Sequence, residues 1–218
     1  MADKGRLTRK EIKQPDEFIT LSGQALTWIR ANQQLATIIG AAVVILIAVI
    51  GIGGAYHTAQ QRDANADLGR AMARYDASDY AAAAAQLEDV STHWSGSQVA
   101  AIAGLLAANS ALRAGEADKA LTALNGVPTS GLPVFLQQQH AVTWGAALAA
   151  KEQWADAAAK YKEAAAISGP YTGDAIVGEA RAQEKAGDAA KAKELYRQAY
   201  EQFPDMPGRE LLAAKFQS

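Results

Sequence analysis

From Leu35 to Tyr56 the chain reads LATIIGAAVVILIAVIGIGGAY, and no Asp, Glu, Lys or Arg occurs between Arg30 and Arg62. A helix rises about 1.5 Å per residue, so residues 35–56 are expected to span about 33 Å, enough for a hydrocarbon core of about 30 Å. Residues 1–34 have a polar start. From Gln14-Pro15-Asp16 onward they place Phe18, Leu21, Ala25, Leu26, Trp28 and Ile29 at near-helical spacing. Two readings of that spacing stand: an amphipathic helix on a membrane surface with Trp28 in the interfacial belt, or an extension of the membrane helix itself. Residues 57–218 have helical spacing throughout, are rich in alanine and contain no segment that reads as a strand. The pattern predicts three parts: 1–34 a tail, 35–56 a transmembrane helix, and 57–218 an all-α domain.

The helical part repeats itself. In AAAAAQLEDV, ADKALTALNGV, WADAAAKYKEA and AAKAKELYRQA the anchors Ala83, Ala120, Ala157 and Ala192 are spaced by 37, 37 and 35 residues. Four positions after each anchor stands Leu87, Leu124, Tyr161 or Tyr196, and seven after stands Val90, Val127, Ala164 or Ala199. Twelve before stands a small residue, Ala71, Ala108, Gly145 or Ala180. Five before stands Ser78, Gly115, Glu152 or Gly187, where a turn is required. Small residues at facing positions let two antiparallel helices approach closely, and the large residue fills the space toward the next pair. Glycine at the turn supplies the left-handed residue that ends a helix, and Asp79 and Asp188 stand where a side chain caps the following one. Tyr80 and Trp154 begin the second helix with a bulky packing residue. Pro207 to Phe216 forms a short closing helix.

These columns resemble the tetratricopeptide repeat, a helix–turn–helix unit of about 34 residues. The fourth unit, with Gly187-Asp188, Ala192, Tyr196, Ala199 and Pro204, and the third, with Trp144-Gly145, Trp154, Ala157 and Tyr161, carry the resemblance best. Insertions such as Thr129-Ser130-Gly131 and Ser168-Gly169-Pro170 lengthen the loops. The resemblance implies an α-solenoid with a groove lined by the first helix of each unit. By the register that face includes Asn65, Met72, Asn109, Arg113, Gln139 and Arg181, together with Leu68, Leu105, Leu112, Val142, Asp174 and Val177. Asn109 and Arg113 alone do not make the basic clamp used by repeats that bind acidic C-termini.

Charge gives the chain a direction. Residues 1–34 hold six basic and four acidic side chains, a net +2, while the far flank of the apolar run offers only His57 and Arg62, with Asp63 close behind. The excess of Lys and Arg predicts an N-terminus in the cytoplasm and an exported repeat domain. With −2 for the whole chain, the exported part carries −4, which argues against nucleic acid as partner. Gly53 and Ala55 mimic a cleavage site, but 34 preceding residues and the length of the run favour a retained anchor over a removed signal. Ala36, Gly40 and Gly51 supply small positions for helix contact within the bilayer.

Candidate chemistry is sparse. The chain has no cysteine, and none of His57, His93 and His140 has a second ligand at metal spacing, so neither a disulfide nor a metal site is expected. His93 reads as a loop residue and His140 as part of a first helix. The Ser-Gly pairs lack the flanks of a nucleophile elbow, and the glycines at 51, 53 and 54 lie inside the apolar run rather than in a phosphate loop. No cofactor is implied, and the expectation is a binding protein rather than an enzyme.

The order of parts, a short stretch DEFITLSGQALTWIRAN, one membrane helix and exported degenerate repeats, resembles the ancillary subunit of the bacterial SecYEG translocon. That resemblance implies a chaperone-like periplasmic adaptor at the inner membrane, beside the translocon and a periplasmic folding factor. The alternative expectation is an accessory structural subunit or assembly factor of a large inner-membrane complex. Either way the partners are other proteins, with the membrane engaged through residues 35–56.

Overall fold

The computed structural model describes residues 58–217 together with Ala31, Leu46 and Ile47. The chain divides into Met1–Ala59 and Gln60–Ser218. In the first unit the described residues, Ala31, Leu46, Ile47, Thr58 and Ala59, are helical and exposed. Among the described residues no helix is long and apolar enough to cross a membrane. Apart from Leu46 and Ile47, the expected span 35–56 lies outside them, as do the tail and the small positions Ala36, Gly40 and Gly51.

The second unit is all helix among its described residues. Within this unit residues 60–76 form α1. Then follow α2 (Tyr80–His93), α3 (Gln98–Arg113), α4 (Ala117–Asn125), α5 (Val134–Ala150), α6 (Trp154–Ala166), α7 (Thr172–Ala186), α8 (Ala189–Gln202) and α9 (Arg209–Gln217). From α2 onward each helix packs on the next in the chain, and α3 touches α5 as α5 touches α7. The second helices of the units, α4, α6 and α8, lack that degree of mutual contact. The first helices are therefore the closer-set layer of a solenoid in which contacts run only between near neighbours.

One turn is built four times. The amides of Asp79, Glu116, Gln153 and Asp188 donate to the carbonyls five residues back, on Arg74, Ala111, Leu148 and Gln183, at 3.0, 2.8, 3.0 and 2.9 Å. The preceding residue is left-handed each time: Ser78 at φ 60°, Gly115 at 78°, Glu152 at 60° and Gly187 at 95°. This is the Schellman arrangement, which satisfies carbonyls orphaned at a helix end. Asp79 and Asp188 then cap α2 and α8, accepting from the amides of Ala82 and Lys191. Ser97 does the same for α3 through Ala100.

Packing follows the repeat columns. The four anchor alanines are at most 2% exposed, and the facing Ala71, Ala108 and Ala180 at most 1%. Leu87, Leu124 and Tyr196 are buried at the position four beyond. The third unit solves the same problem with different volumes. The Tyr161 ring lies so close to Gly145 and Gly178 that a Cβ on either would come within 3.0 and 2.5 Å of it. Glycine stands at 145, where the other units carry alanine, because the ring occupies that space.

Several details correct the expectations above. Leu105 and Val177, placed on the groove by register, are 1% and 6% exposed and belong to the apolar core. His93 is the last residue of α2 rather than part of a loop, with its ring edge-on to Trp94. His140 lies in α5 as expected, with Nε2 donating to the Leu124 carbonyl at 3.0 Å. Gln138, which nothing in the spacing marks, is fully buried. Its amide nitrogen reaches the Ile167 carbonyl at 2.6 Å and Thr172 Oγ1 at 3.0 Å, and its oxygen accepts from the Tyr171 amide at 3.0 Å. One side chain thus satisfies the backbone of the loop joining α6 to α7.

Glu179 on α7 is buried, and loss of hydration pushes its carboxyl above the ordinary range, with Lys162 and Lys191 drawing it back. A raised folded value favours the neutral form, so this residue opposes folding increasingly as pH rises from about 4.5 through that value. Glu179→Gln is expected to raise the melting temperature at pH 7 and to leave it nearly unchanged near pH 4. Calorimetry across that range is the check. Left-handed backbone costs a non-glycine residue about 1–2 kcal/mol, so Glu152→Gly should stabilise the domain by roughly 1 kcal/mol after the entropic cost of glycine. Urea unfolding measures it, and a loss of stability would show that the side chain contributes more than its backbone strain. Ala157→Leu should destabilise by about 1–3 kcal/mol through overpacking between α5 and α6, whereas an unchanged midpoint would mean the anchor column is not a close contact.

Candidate protein-binding surface

The residues expected on the first helices reach very different surroundings. Asn65 is exposed and Met72 half-buried on α1, seven residues apart and so on one face of that helix. Gln139 on α5 is half-buried, with its carbonyl accepting from Thr143. None of these three is joined to the others by a hydrogen bond or ion pair among the described residues. Asn109 and Arg113, in contrast, form a built cluster, and Arg181 lines a cavity.

The cluster gathers the end of α1, the start of α2 and the end of α3. Arg113 lies over the rings of Tyr75 and Tyr80 at 5.3 and 5.4 Å, and donates to the Tyr80 hydroxyl at 3.3 Å and to Asn109 Oδ1 at 3.3 Å. Tyr75 in turn reaches Asn109 Oδ1 at 3.5 Å and meets Tyr80 edge-on at 5.4 Å. A hydrogen bond with Ser78, followed by the Arg113 guanidinium, holds the Tyr80 hydroxyl below the ordinary tyrosine value. The guanidinium is thus engaged within the domain by two rings and two oxygens, which favours the arginine as a brace between units. Tyr75 was invisible to the repeat columns, since it lies eight residues before its anchor, where the other units carry no aromatic residue.

The cavity lies at the junction of the third and fourth units and measures about 490 Å³. Ala149, Trp154, Tyr161, Gly178, Arg181 and Lys185 line it together with Glu184, Tyr196 and Lys215. Glu184 accepts from Tyr196 at 2.8 Å and from Lys215 at 2.7 Å. Those bonds, that of Lys215 first, hold its carboxyl below the ordinary range. Burial pushes the Tyr161 hydroxyl up. The volume falls within the range of about 300–1,000 Å³ usual for small-ligand pockets. The register pointed to Arg181, but not to the aromatic residues that share the cavity with it, because Trp154 and Tyr161 come from the preceding unit.

Among the described residues no group of His, Cys, Asp and Glu is arranged to hold a metal ion. The surface offers rings, amides and cations to a binding partner.

Comparison with known proteins agrees with this geometry. Residues 55–177 match the tetratricopeptide repeat-like domain, more than half of the 218 residues. No curated protein matches the chain. Among solved structures the chain is similar to nearly identical TPR-like repeats ascribed to a kinesin light chain of Podosopora anserina, at 17% identity and a TM-score of 0.57. A variant of those repeats gives 17% and 0.58, and both alignments cover 70% of this chain and 82% of the other. At that identity the likeness concerns the fold alone. The family match ends within α7, yet the fourth unit repeats the turn and the buried anchor column of the matched three, and the aspartate cap of the first. Turn geometry, helix order and the matched residues lead to one assignment: the chain belongs to the tetratricopeptide repeat-like domain family.

Proposed function

We propose that this protein is a membrane-anchored adaptor that binds other proteins through an exported repeat domain, with its N-terminus in the cytoplasm. The tetratricopeptide-like solenoid carries the binding half of that reading, since such folds generally mediate protein–protein interaction. The anchor rests on the uncharged apolar run 35–56 and on the exposure of Leu46 and Ile47, 60% and 64%, in the middle of it. Apolar side chains that exposed on a helix are satisfied by lipid rather than by water. Direction rests on the net +2 of residues 1–34. The layout shared with the ancillary subunit of the SecYEG translocon suggests a place beside the inner-membrane secretion machinery, with a chaperone-like role toward periplasmic clients.

A second reading, an accessory structural subunit or assembly factor of a large inner-membrane complex, is favoured by Ala36, Gly40 and Gly51. Small residues in an apolar helix allow a neighbouring membrane helix to approach closely. Purification of the full chain in mild detergent separates the two: an adaptor yields mixed, substoichiometric clients, and a fixed subunit yields one complex at constant ratio. For topology, a reporter active only after export, fused after Ser218, should be active. Activity only from a cytoplasmic reporter would reverse the orientation and with it the proposed compartment.

A further inference from the structure

The junctions between successive units line one edge of the repeat domain, where first helices end and second helices begin. The first junction is filled by Arg113 between Tyr75 and Tyr80. The second is bridged by the ion pair of Lys151 with Asp118. The third holds the cavity beside Trp154.

The filled and open junctions are related position by position. Tyr80 and Trp154 both stand three residues before their anchors. Arg113 and Lys185 stand seven before theirs, and Asn109 and Arg181 eleven before. The remaining pair is Tyr75 and Ala149, eight before theirs. A ring that packs on the cation at the first junction is thus reduced to a methyl group at the third, while the aromatic wall and the cation are kept. Arg181 replaces the neutral Asn109 and Glu184 replaces Leu112, and because Lys215 from α9 pairs with Glu184, the open junction keeps one more positive charge than the filled one. Glu184 is already held by Lys215 and Tyr196, and neither Arg181 nor Lys185 forms an ion pair or side-chain hydrogen bond among the described residues. Two unpaired cations therefore stand beside an aromatic-walled space, in a domain whose net charge is −4.

We infer that this junction is a docking site for an acidic peptide segment of a partner protein, one that inserts an aromatic side chain where Tyr75 sits at the first junction and sets flanking carboxylates against Arg181 and Lys185. The inference rests on the protein-binding reading above and names the place and chemistry of that binding. The guest ring would meet Trp154 and Tyr161 as Tyr75 meets Tyr80, and its carboxylates would meet Arg181 and Lys185, neither held in an ion pair, with the neighbouring Glu184 engaged by Lys215 and Tyr196.

The test uses the full chain in mild detergent and a fluorescently labelled, capped peptide of sequence Gly-Glu-Glu-Tyr-Glu-Gly, followed by anisotropy. Saturable binding that weakens with salt is expected, with a loss of about tenfold or more on Ala149→Tyr, which fills the space from within. Helicity and melting temperature establish that the variant folds. Should it not, Lys185→Glu on the exposed surface is expected to weaken binding to a similar degree. The assignment is overturned if the peptide does not bind, if either folded variant binds it undiminished, or if replacing its Tyr by Ser leaves affinity unchanged. Equal displacement of the peptide by vesicles of anionic lipid would instead identify a membrane-surface site and overturn it too. Partners that still co-purify with Ala149→Tyr when the peptide fails would reject this pocket while leaving the adaptor reading intact. Absence of any partner from the wild-type chain would count against that reading alone.

Discussion

Paired helices in this domain meet through alanine on alanine, or on glycine in the third unit, and the closeness of that approach governs the rest of the structure. With Ala83, Ala120, Ala157 and Ala192 nearly without exposure, little remains between the helices of a unit but methyl groups and backbone. Such a contact contributes little apolar area per residue, so larger side chains must supply it between units. Leu87, Leu124, Tyr161 and Tyr196 do so from the position one turn beyond the anchor. Close pairing also demands a tight reversal, which explains why the same left-handed turn recurs even where the residue is Ser or Glu. Tolerance of strain at Ser78 and Glu152 shows the packing to be the stronger constraint.

Much of this architecture was legible in the sequence, because a repeat writes its local geometry several times over. The anchor column, the turn position and the capping aspartates recur at fixed offsets, and chance does not reproduce them together. The closing helix emerged where the prolines of EQFPDMP placed it. What escaped were contacts that occur once and join distant positions. Gln138 looks like one of three glutamines in a row, yet it alone is buried and bound to the α6–α7 loop. Tyr75 packs on Arg113 across 38 residues of sequence, which no single helix pattern encodes.

The groove shows the same division. Register placed Asn109, Arg113 and Arg181 on first helices, and they lie there. It could not distinguish a face turned to solvent from one turned to the next unit, so Leu105 and Val177 went to the wrong side. Exposure on a first helix depends on the size of its neighbours, and neighbours come from another repeat. A binding surface on a solenoid is therefore a property of junctions rather than of units.

The Tyr161 ring seated against Gly145 and Gly178 carries an evolutionary consequence. Three positions on three helices share one fixed volume, so none can drift alone. A homologue that gains a methyl group at 145 or 178 has to surrender ring atoms at 161, and the intermediate with both is a cost every mutational path must avoid. Coupled substitution at these three sites, rather than invariance at any one, is the signature this joint should leave among descendants of the same ancestor.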